Sequence, residues 1–266
     1  MRKKTVVFLG YDEGVIGPLL QCDIKVLAVV YEQNHEKDYS GQYNELIRKM
    51  GGKICTITKG DNEELIRILK DFDRPDLFVI SCFSILSEGS MNIPRIGIIN
   101  VHPSFLPYYK GPYPIEWALL NGEKRTGLSF MSIDSGVDTG GVYKRFEVEI
   151  AEEDDAFTLK KKMDKIVEKN INEIIMGVIK GTIIAIPQEK GGSYYPKRTY
   201  YGRFANFKLM TAEDIHNLTR SQIGHGGLLT TYNFKRIAFH LSKLIEDSSG
   251  KMFGGEVVKI NFDEQK

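Results

Sequence analysis

The chain contains 266 residues, enough for one large core and a small appended domain. Lys and Arg number 36 and Asp and Glu number 35, so the formal net charge of +1 disfavours bulk binding of a nucleic acid, although a local basic groove is compatible with it. No apolar run approaches the roughly 18 residues that a transmembrane helix needs, which argues against a membrane partner.

The cysteines and the N-terminus indicate a reduced, cytoplasmic protein without a structural metal. Cys22, Cys55 and Cys82 are odd in number and lack CxxC spacing. Cys55 and Cys82 lie in apolar runs, where cysteine usually acts as a small hydrophobe. The basic and apolar N-terminal residues end at Gly10, which is too short for a signal peptide and predicts a first buried strand.

The first half of the chain predicts an α/β fold with a Rossmann-like, mostly parallel sheet. Short runs of β-forming residues are found at residues 5–9, 25–31, 77–82 and 97–101. Apolar residues at helical spacing lie between them, at residues 43–50 and 63–72. Alternation of this kind is typical of a sheet with helices on both faces.

Two further strands are predicted at residues 126–133 and 142–150, and the turn GVDTGG between them returns to the sheet. A long amphipathic helix follows at residues 155–181 and is expected to close the first domain. Its apolar stripe contains Phe157, Leu159, Met163, Ile166, Val167, Ile171, Ile174, Ile175 and Val178.

The rest of the chain predicts a small β-rich C-terminal domain. A short strand at residues 183–186 precedes the polar, glycine-bearing hinge EKGGSYYPKR. Beyond it we predict a helix at residues 212–221 and strands at 228–232, 236–241 and 256–261. The main domain is therefore assigned to residues 1–190, and the linker with the small domain to residues 191–266.

The segment NVHPSFLPYYKGPYPI, residues 100–115, is the first candidate site. Asn100 and His102 follow an apolar strand, and open α/β sheets bind ligands beyond the carboxyl ends of their strands. An NxH alone is better explained by an asparagine that caps the strand end and a histidine that hydrogen-bonds a nearby carbonyl. The loop that follows is stiffened by prolines and is longer than a plain connection requires, which is typical of a functional loop.

A carboxylate for the same site is expected from the segment GVDTGG. Asp138 lies between Gly136 and Gly140, where the backbone can turn tightly. Asp134 is the rival, and spacing alone does not decide between the two. An amide, an imidazole and a carboxylate suit acyl transfer to an amine, because the tetrahedral oxyanion needs a donor and the amine must lose a proton to a base near neutrality.

Two other patterns carry weaker predictions. Gly10, Gly14 and Gly17 do not form GxGxxG, and Glu32 is the sole acidic candidate at the second strand's end, so a dinucleotide site is disfavoured. The segment YYPKRTYYGRF, residues 194–204, fits either a clamp for a diphosphate and a base or a solvated interdomain linker. Lys110 has the same two interpretations.

These segments resemble the folate-dependent formyltransferase family. NVHPSFLPYYKGPYPIEWALLNG is similar to that family's Asn-x-His block, and SIDSGVDTGG is similar to its LDTG-like loop; the resemblance covers roughly residues 5–198. It implies the formyltransferase fold for the main domain, 10-formyltetrahydrofolate as donor, and Asn100, His102 and Asp138 as the catalytic residues. Phe105 replaces a leucine, and Lys110 replaces an arginine, which changes bidentate recognition to a point charge.

The resemblance also implies the ligand contacts. The folate is expected between two loops, in contact with Cys82, Phe83, Ser84, Ile85, Leu86, Asp134 and Gly136. The acceptor is expected to contact Ser104, Tyr109, Lys110, Gly111, Pro112, Tyr195, Lys197 and Arg198. No metal is implied.

The acceptor is implied by PQEKGGSYYPKRT and AEDIHNLTRS, which resemble the sugar-nucleotide N-formyltransferases. The expected acceptor is the amine of a nucleoside-diphosphate-linked aminodeoxysugar, in the biosynthesis of a cell-surface polysaccharide such as the O-antigen of lipopolysaccharide. A cytoplasmic homodimer is expected, with no nucleic-acid partner. After Ser221 the sequence SQIGHGGLLTTYNF departs from that group, so the role of the tail stays open.

In the implied reaction Asn100 and His102 stabilise the oxyanion, while His102, oriented by Asp138, removes the ammonium proton. A water held by Asp138 is the alternative base. Methionyl-tRNA formyltransferase is the main alternative function. A glycinamide ribonucleotide transformylase is disfavoured by the long tail, and a non-catalytic folate-binding protein of the same fold is disfavoured by the intact triad.

Overall fold

The computed structural model describes residues 2–33, 41–198, 200–232 and 235–244. The described chain forms two compact units. The first takes in the chain through Gly111 together with Gly127–Val148 and Lys161–Tyr194. The second takes in Pro112–Thr126, Glu149–Lys160 and the described residues from Tyr195 onward. The predicted boundary between residues 190 and 191 stays a prediction.

The described residues contain nine strands and seven α-helices. The strands are β1 (Thr5–Gly10), β2 (Lys25–Glu32), β3 (Lys53–Ile57), β4 (Leu77–Ser81), β5 (Gly97–His102), β6 (Arg125–Met131), β7 (Val142–Glu149), β8 (Leu228–Tyr232) and β9 (Lys235–Phe239). The helices are α1 (Glu13–Leu20), α2 (Gly41–Lys49), α3 (Asn62–Lys70), α4 (Glu88–Met91), α5 (Pro114–Leu120), α6 (Ala156–Lys180) and α7 (Ala212–Arg220). A 3₁₀ turn, Tyr200–Arg203, precedes α7.

Seven strands form one sheet in the order β3-β2-β1-β4-β5-β6-β7. Pairing is parallel from β3 through β5, and β6 then pairs antiparallel to β5. The strand order reverses between β1 and β4, which is where open α/β sheets leave a crevice beyond the carboxyl ends of their strands. The prediction of a Rossmann-like, mostly parallel sheet with flanking helices is confirmed.

The central strands are buried because both of their faces are covered. Every residue of β1 and β4 is buried, and such continuous apolar strands are typical of parallel sheets. Leu65 and Leu69 of α3 enter the hydrophobic cluster around Phe78. Each fully buried leucine contributes about 1.5–3 kcal/mol, so this cluster is a main source of the unit's stability.

The glycines near β1 are explained by close packing. A Cβ at Gly10 would lie 1.7 Å from the carbonyl oxygen of Ser81, and one at Gly17 would lie 2.6 Å from the hydroxyl of Tyr43. Gly14 similarly approaches the carboxylate of Asp164. These glycines allow α1 and the strand ends to pack closely.

Several elements differ from the sequence predictions. The strand predicted at residues 183–186 is wrong, because only Ile186 makes a bridge, with Val142, while Ile184 and Ile186 remain 69% and 65% exposed. Phe157 is 57% exposed, because it lies in the first turn of α6 at the margin of the apolar stripe. The strand predicted at residues 256–261 lies outside the described residues.

A role as a small hydrophobe was predicted for Cys55 and Cys82, and the structure agrees with it at Cys55 only. Cys22 is buried, and burial raises the pKa of its thiol to about 11. Cys55 packs partly against the core, and burial also raises the pKa of its thiol. Cys82 is exposed with φ of 58°, because it leaves the sheet directly after β4. The hydrophobic role expected for Cys82 is therefore wrong.

The second unit has a small core of its own. Ile215, Leu218 and Leu228 are buried together, and β8 pairs antiparallel with β9. Helix α7 begins with a capping box, because the Thr211 hydroxyl accepts from the Asp214 N–H while the Asp214 carboxylate accepts from the Thr211 N–H. The small antiparallel sheet agrees with the predicted β-rich segment.

Candidate active site

Asn100 and His102 lie at the carboxyl end of β5. The two residues are separated by one position, so their side chains point to the same face of the sheet. Asn100 is half-buried, whereas His102 is 5% exposed. The switch in strand order and this strand end together bring the amide and the imidazole to the edge where a ligand of this fold class would bind.

The ring of His102 is oriented by a backbone carbonyl. Its Nε2 lies 3.0 Å from the carbonyl oxygen of Tyr109. A carbonyl can only accept, so Nε2 carries the proton and donates, and the neutral ring has its lone pair on Nδ1. Among the described residues Nδ1 makes no hydrogen bond; its neighbour is the Asp138 carboxylate, with Oδ2 at 3.7 Å.

Asp138 faces His102 from a strained loop. Its φ of 53° is left-handed, a conformation that is uncommon outside glycine. Its Oδ2 accepts a hydrogen bond from the backbone N–H of Gly111 at 2.8 Å. Gly111 has φ of 95°, and this conformation is accessible to glycine. The structure therefore places a carboxylate and an unbonded imidazole nitrogen side by side.

Asp134, the rival carboxylate, is used within its own turn. Its Oδ1 accepts from the N–H of Gly136 at 3.0 Å and from the hydroxyl of Thr139 at 2.6 Å. Its side chain therefore stabilises the turn that carries Asp138. Sequence spacing did not distinguish the two aspartates, and this geometry assigns Asp138 to His102.

The proline-rich loop is held by hydrogen bonds from two buried serines. The Ser104 hydroxyl donates to the carbonyl of Tyr108 at 2.7 Å, and the Ser129 hydroxyl donates to the carbonyl of Ser104 at 2.7 Å. Both serines are fully buried. Ser104 was expected to contact the acceptor, but its hydroxyl is occupied inside the loop. Lys110 is half-buried, and its backbone N–H donates to Ser193 at 2.9 Å.

The loop after β4, where the folate contacts are expected, is fixed by two polar side chains. Glu32 accepts from the N–H of Gly60 at 2.8 Å and from that of Ser84 at 3.2 Å. The Asn62 amide donates to the carbonyl of Ile85 at 3.1 Å. Ile85 is 71% exposed, whereas Leu86 is buried in the core and Phe83 packs partly against it. The folate contacts stay predictions.

The expected acceptor contacts after residue 111 belong to the second unit. Tyr195 packs on Trp117 with ring centroids 4.9 Å apart, and its hydroxyl accepts from Asn121 at 2.8 Å. Trp117 is half-buried, and its Nε1 donates to the carbonyl of Pro196 at 3.0 Å. Pro112 and Lys197 are exposed.

Arg198 is held by groups of the protein itself. Its Nη1 donates to the carbonyl and the hydroxyl of Ser221, each at 3.3 Å, and its guanidinium lies 5.7 Å from the ring centre of Trp117. Burial lowers the pKa of Arg198 below its ordinary value, and the neighbouring Glu116 opposes that effect. This environment favours a structural role over the diphosphate clamp that the composition suggested.

Sequence reasoning missed the residues that hold the two loops. Ser129, Gln188 and Ser193 hydrogen-bond to the proline-rich loop or to the Asp138 loop. A partial signal was present in the pair Gly191 and Gly192, which marks a backbone conformation or a close approach that only glycine permits. Single polar residues such as Ser129 and Gln188 carry no comparable pattern.

The described residues contain neither a membrane-spanning helix nor a cluster of metal-ligating side chains. No described helix is long and apolar enough to cross a membrane. No group of at least three His, Cys, Asp or Glu residues within the described part of the chain could hold a metal ion. The predicted cytoplasmic location and the predicted homodimer stay predictions.

The sequence is similar to that of proteins of known family. Residues 22–175 match the family model described as formyl transferase. A methionyl-tRNA formyltransferase from Thermodesulfovibrio yellowstonii is 33% identical, over 81% of this chain and 72% of its own length. The resemblance to the folate-dependent formyltransferases is thereby confirmed.

Solved structures match the fold at lower identity. A sugar N-formyltransferase from a Shewanella species has a TM-score of 0.71 at 16% identity and covers 91% of this chain and 99% of that chain. A second match is an N-formyltransferase from Helicobacter canadensis in complex with folinic acid and dTDP-3-aminofucose. Its TM-score is 0.72 at 21% identity, and the match covers 92% of this chain and 89% of that chain. At such identities these neighbours establish the fold alone.

The predicted sugar-nucleotide acceptor, with its role in polysaccharide biosynthesis, is wrong. Relatives 27–37% identical in sequence are named methionyl-tRNA formyltransferases, and the sugar enzymes are similar in structure only. The physical reason is that the segments behind the prediction are structural. Ser193 holds the proline-rich loop, Arg198 bonds to Ser221, and the Asp214 carboxylate accepts from the Thr211 N–H at the start of α7, so the resemblance of these segments reports the fold and not the acceptor.

Proposed function

Because the chain belongs to the formyl transferase family, we propose that it transfers the formyl group of 10-formyltetrahydrofolate to the α-amino group of methionyl-tRNA. The observation that carries the acceptor is the shared name of its sequence relatives, which are 27–37% identical to the chain over 65–97% of its length. The donor is supported by the folate resemblance and by the folinic acid bound to the Helicobacter canadensis protein.

The His102–Asp138 pair supports the chemistry of this transfer. The amine nitrogen bonds to the formyl carbon, and the bond from that carbon to the folate nitrogen breaks. The ammonium proton passes to Nδ1 of His102, which makes no hydrogen bond in the described structure, and a proton is returned to the departing folate nitrogen. Asp138 stabilises the imidazolium formed in between, because a carboxylate 3.7 Å away favours the charged ring.

Asn100 supplies the second polar group. It lies on the same face of β5 as His102, two residues before it. Its amide N–H₂ donates to the oxyanion that develops on the formyl oxygen, and protonated His102 adds a second donor. One such donor is typically worth about 10²–10³ in rate.

A net charge of +1 does not exclude a tRNA, because binding to a polyanion depends on basic groups along one surface and not on the total. Lys197 and Lys208 are exposed on the second unit and can serve as phosphate contacts. Arg198 does not, since it is bonded to Ser221. Each phosphate contact should contribute a slope of about −0.7 to −0.9 to the dependence of log K on log salt.

The test uses 10-formyltetrahydrofolate labelled in the formyl group. Wild-type protein is incubated with methionyl-tRNA, with uncharged tRNA, or with dTDP-3-aminofucose, and product identity is read by mass spectrometry after hydrolysis. We expect N-formylmethionine from the first acceptor and no product from the other two. Folded wild-type protein that binds the folate but does not formylate methionyl-tRNA would overturn the proposal.

A further inference from the structure

Two residues in left-handed backbone conformations flank His102. Tyr109 has φ of 59°, and its carbonyl accepts the Nε2 proton. Asp138 has φ of 53°, and its carboxylate faces Nδ1. Such conformations cost about 1–3 kcal/mol in non-glycine residues and persist only where the surroundings hold them. The orientation of the imidazole therefore depends on whatever fixes these two residues.

Gln188 fixes the Asp138 side. Its Nε2 donates to the carbonyl of Asp138 and to the carbonyl of Gly140, both at 2.8 Å. Facing two carbonyls, the amide must present its nitrogen and not its oxygen. A single side chain thus bridges the strained residue and the end of its loop.

Ser193 fixes the Tyr109 side. Its hydroxyl accepts from the N–H of Tyr109 at 2.9 Å, and its carbonyl accepts from the N–H of Lys110 at 2.9 Å. Gly192 allows this approach, because a Cβ there would lie 2.0 Å from the carbonyl oxygen of Pro107. Its φ of 89° also favours glycine.

The segment of residues 188–193 adds little to the hydrophobic core. Glu189, Lys190, Gly191 and Gly192 are exposed, and Gln188 and Ser193 are half-buried. The contacts of Gln188 and Ser193 with the two loops are therefore the main feature of the segment, and they converge on opposite sides of one imidazole.

We propose that Gln188 and Ser193 are positioning residues which together set the geometry between His102 and Asp138. The 188–193 segment joins the two loops, so that a shift of either loop changes the separation of Nδ1 and Oδ2. The proposal rests on the proposed function only in assuming that His102 and Asp138 carry out the transfer. It assigns neither Gln188 nor Ser193 a contact with substrate.

The kinetic test compares Gln188→Met, Gln188→Glu and Ser193→Ala with wild type. A displacement of about 1 Å in a catalytic group can cost about 10²-fold in rate, so we expect kcat to fall about 10- to 100-fold while KM for the folate changes less than about threefold. Gln188→Glu should be worse than Gln188→Met, because a carboxylate would face two carbonyl oxygens. Ser193→Thr keeps the hydroxyl and should restore most of kcat.

Glu189→Gln is the matched control, because Glu189 lies in the same segment and, within the described part of the chain, its exposed side chain contacts neither loop and pairs with Arg145. It should retain wild-type kcat. The double variant Gln188→Met, Ser193→Ala should lose less than the product of the two single losses, because both changes disturb the same geometry. Strictly multiplicative losses, or a rise in KM with unchanged kcat, would overturn the proposal.

A spectroscopic readout separates this proposal from the acceptor assignment. The ¹⁵N signals of the His102 imidazole should shift in Gln188→Met and Ser193→Ala but not in Glu189→Gln, without any acceptor present. Absence of these shifts in folded variants contradicts the positioning role. If the two variants show the shifts but wild-type protein does not formylate methionyl-tRNA, only the proposed acceptor is contradicted.

Discussion

Two carboxylates at opposite edges of the sheet have opposite surroundings. Asp76 immediately precedes β4, at the amino edge, and its Oδ2 accepts from the Thr5 N–H at 2.8 Å and from the Thr5 hydroxyl at 3.0 Å. Lys4 and Arg95 lie 4.0 and 3.9 Å from its other oxygen. Asp138, at the carboxyl edge, accepts from one backbone N–H and faces an imidazole nitrogen 3.7 Å away.

The difference shows that the burial of a carboxylate does not by itself indicate whether its role is structural or catalytic. Burial of Asp76 acts to raise the pKa of its carboxyl, but the hydrogen bonds from Thr5 together with the positive charges of Lys4 and Arg95 outweigh it, so the pKa lies below its ordinary value. Both oxygens of Asp76 have partners within the protein, so this carboxylate contributes to the stability of the fold. The Oδ2 atom of Asp138 faces Nδ1 of His102 at 3.7 Å, which is beyond hydrogen-bond length. The carboxylate and the imidazole are therefore both able to interact with a substrate.

The largest effect is expected for His102→Ala. Loss of a general acid–base typically costs about 10²–10⁴ in rate, and we expect kcat for formyl transfer to fall by that factor. Stopped-time assays with saturating folate measure it, and circular dichroism checks that the variant is folded. A variant that kept wild-type kcat would show that the imidazole does not take part in transfer.

The next largest effect on kcat is expected for Asp138→Asn. The amide keeps an oxygen for the Gly111 N–H but loses the charge beside His102, so we expect kcat to fall about 10- to 10²-fold with KM little changed. Asp134→Asn is the comparison variant, because in the described structure Asp134 bonds within the turn that carries Asp138 and does not face His102, so we expect a smaller loss of kcat. Equal losses in the two variants would remove the distinction between the aspartates.

Asp76→Asn should act on stability and leave kcat unchanged. A pKa below the ordinary value of about 4 means that the carboxylate stabilises the fold fully above about pH 5, and that this contribution is lost as pH falls through the folded-state pKa. We expect the variant to be less stable by about 1–3 kcal/mol near neutrality, with the difference shrinking at lower pH. Urea titrations at several pH values measure it, and a difference independent of pH would contradict the assignment.

Arg198→Met should have the smallest effect. Its bonds to Ser221 and its packing on Trp117 are internal, so we expect a loss of about 1–2 kcal/mol in stability and a KM for each substrate within about threefold of wild type. Lys197→Met, which removes an exposed charge next to it, should leave stability unchanged and weaken tRNA binding slightly. A large rise in acceptor KM in Arg198→Met would restore a ligand-binding role for the arginine.

The sequence predicts the sheet well because its central strands are continuous apolar runs separated by helical periodicity. Helix α1 was missed, since Gly14, Gly17 and Pro18 weaken any helical signal, and its start depends on Asp12 accepting from the Gly14 N–H. The half-exposed edge strand β3 carries too weak an alternation to stand out. These are positions where tertiary contacts override local preference.

The site was predictable in its residue types but not in its supports. Asn100 and His102 are indicated by the end of a predicted strand, whereas the glycine-rich turn left Asp134 and Asp138 as alternatives. The carbonyl of Tyr109 and the amide of Gln188 act through backbone geometry that arises only once the loops are folded. The acceptor was predicted wrongly, because segments that stabilise the fold were interpreted as contacts with a ligand.

The most direct test measures formyl transfer to methionyl-tRNA and the free energy of unfolding, in parallel, for wild type, Asp138→Asn and Asp76→Asn. We predict that wild type forms N-formylmethionyl-tRNA, that Asp138→Asn transfers the formyl group about 10- to 10²-fold more slowly while retaining stability, and that Asp76→Asn loses stability while retaining transfer. Absence of transfer by folded wild type, or loss of transfer in Asp76→Asn alone, would contradict the account.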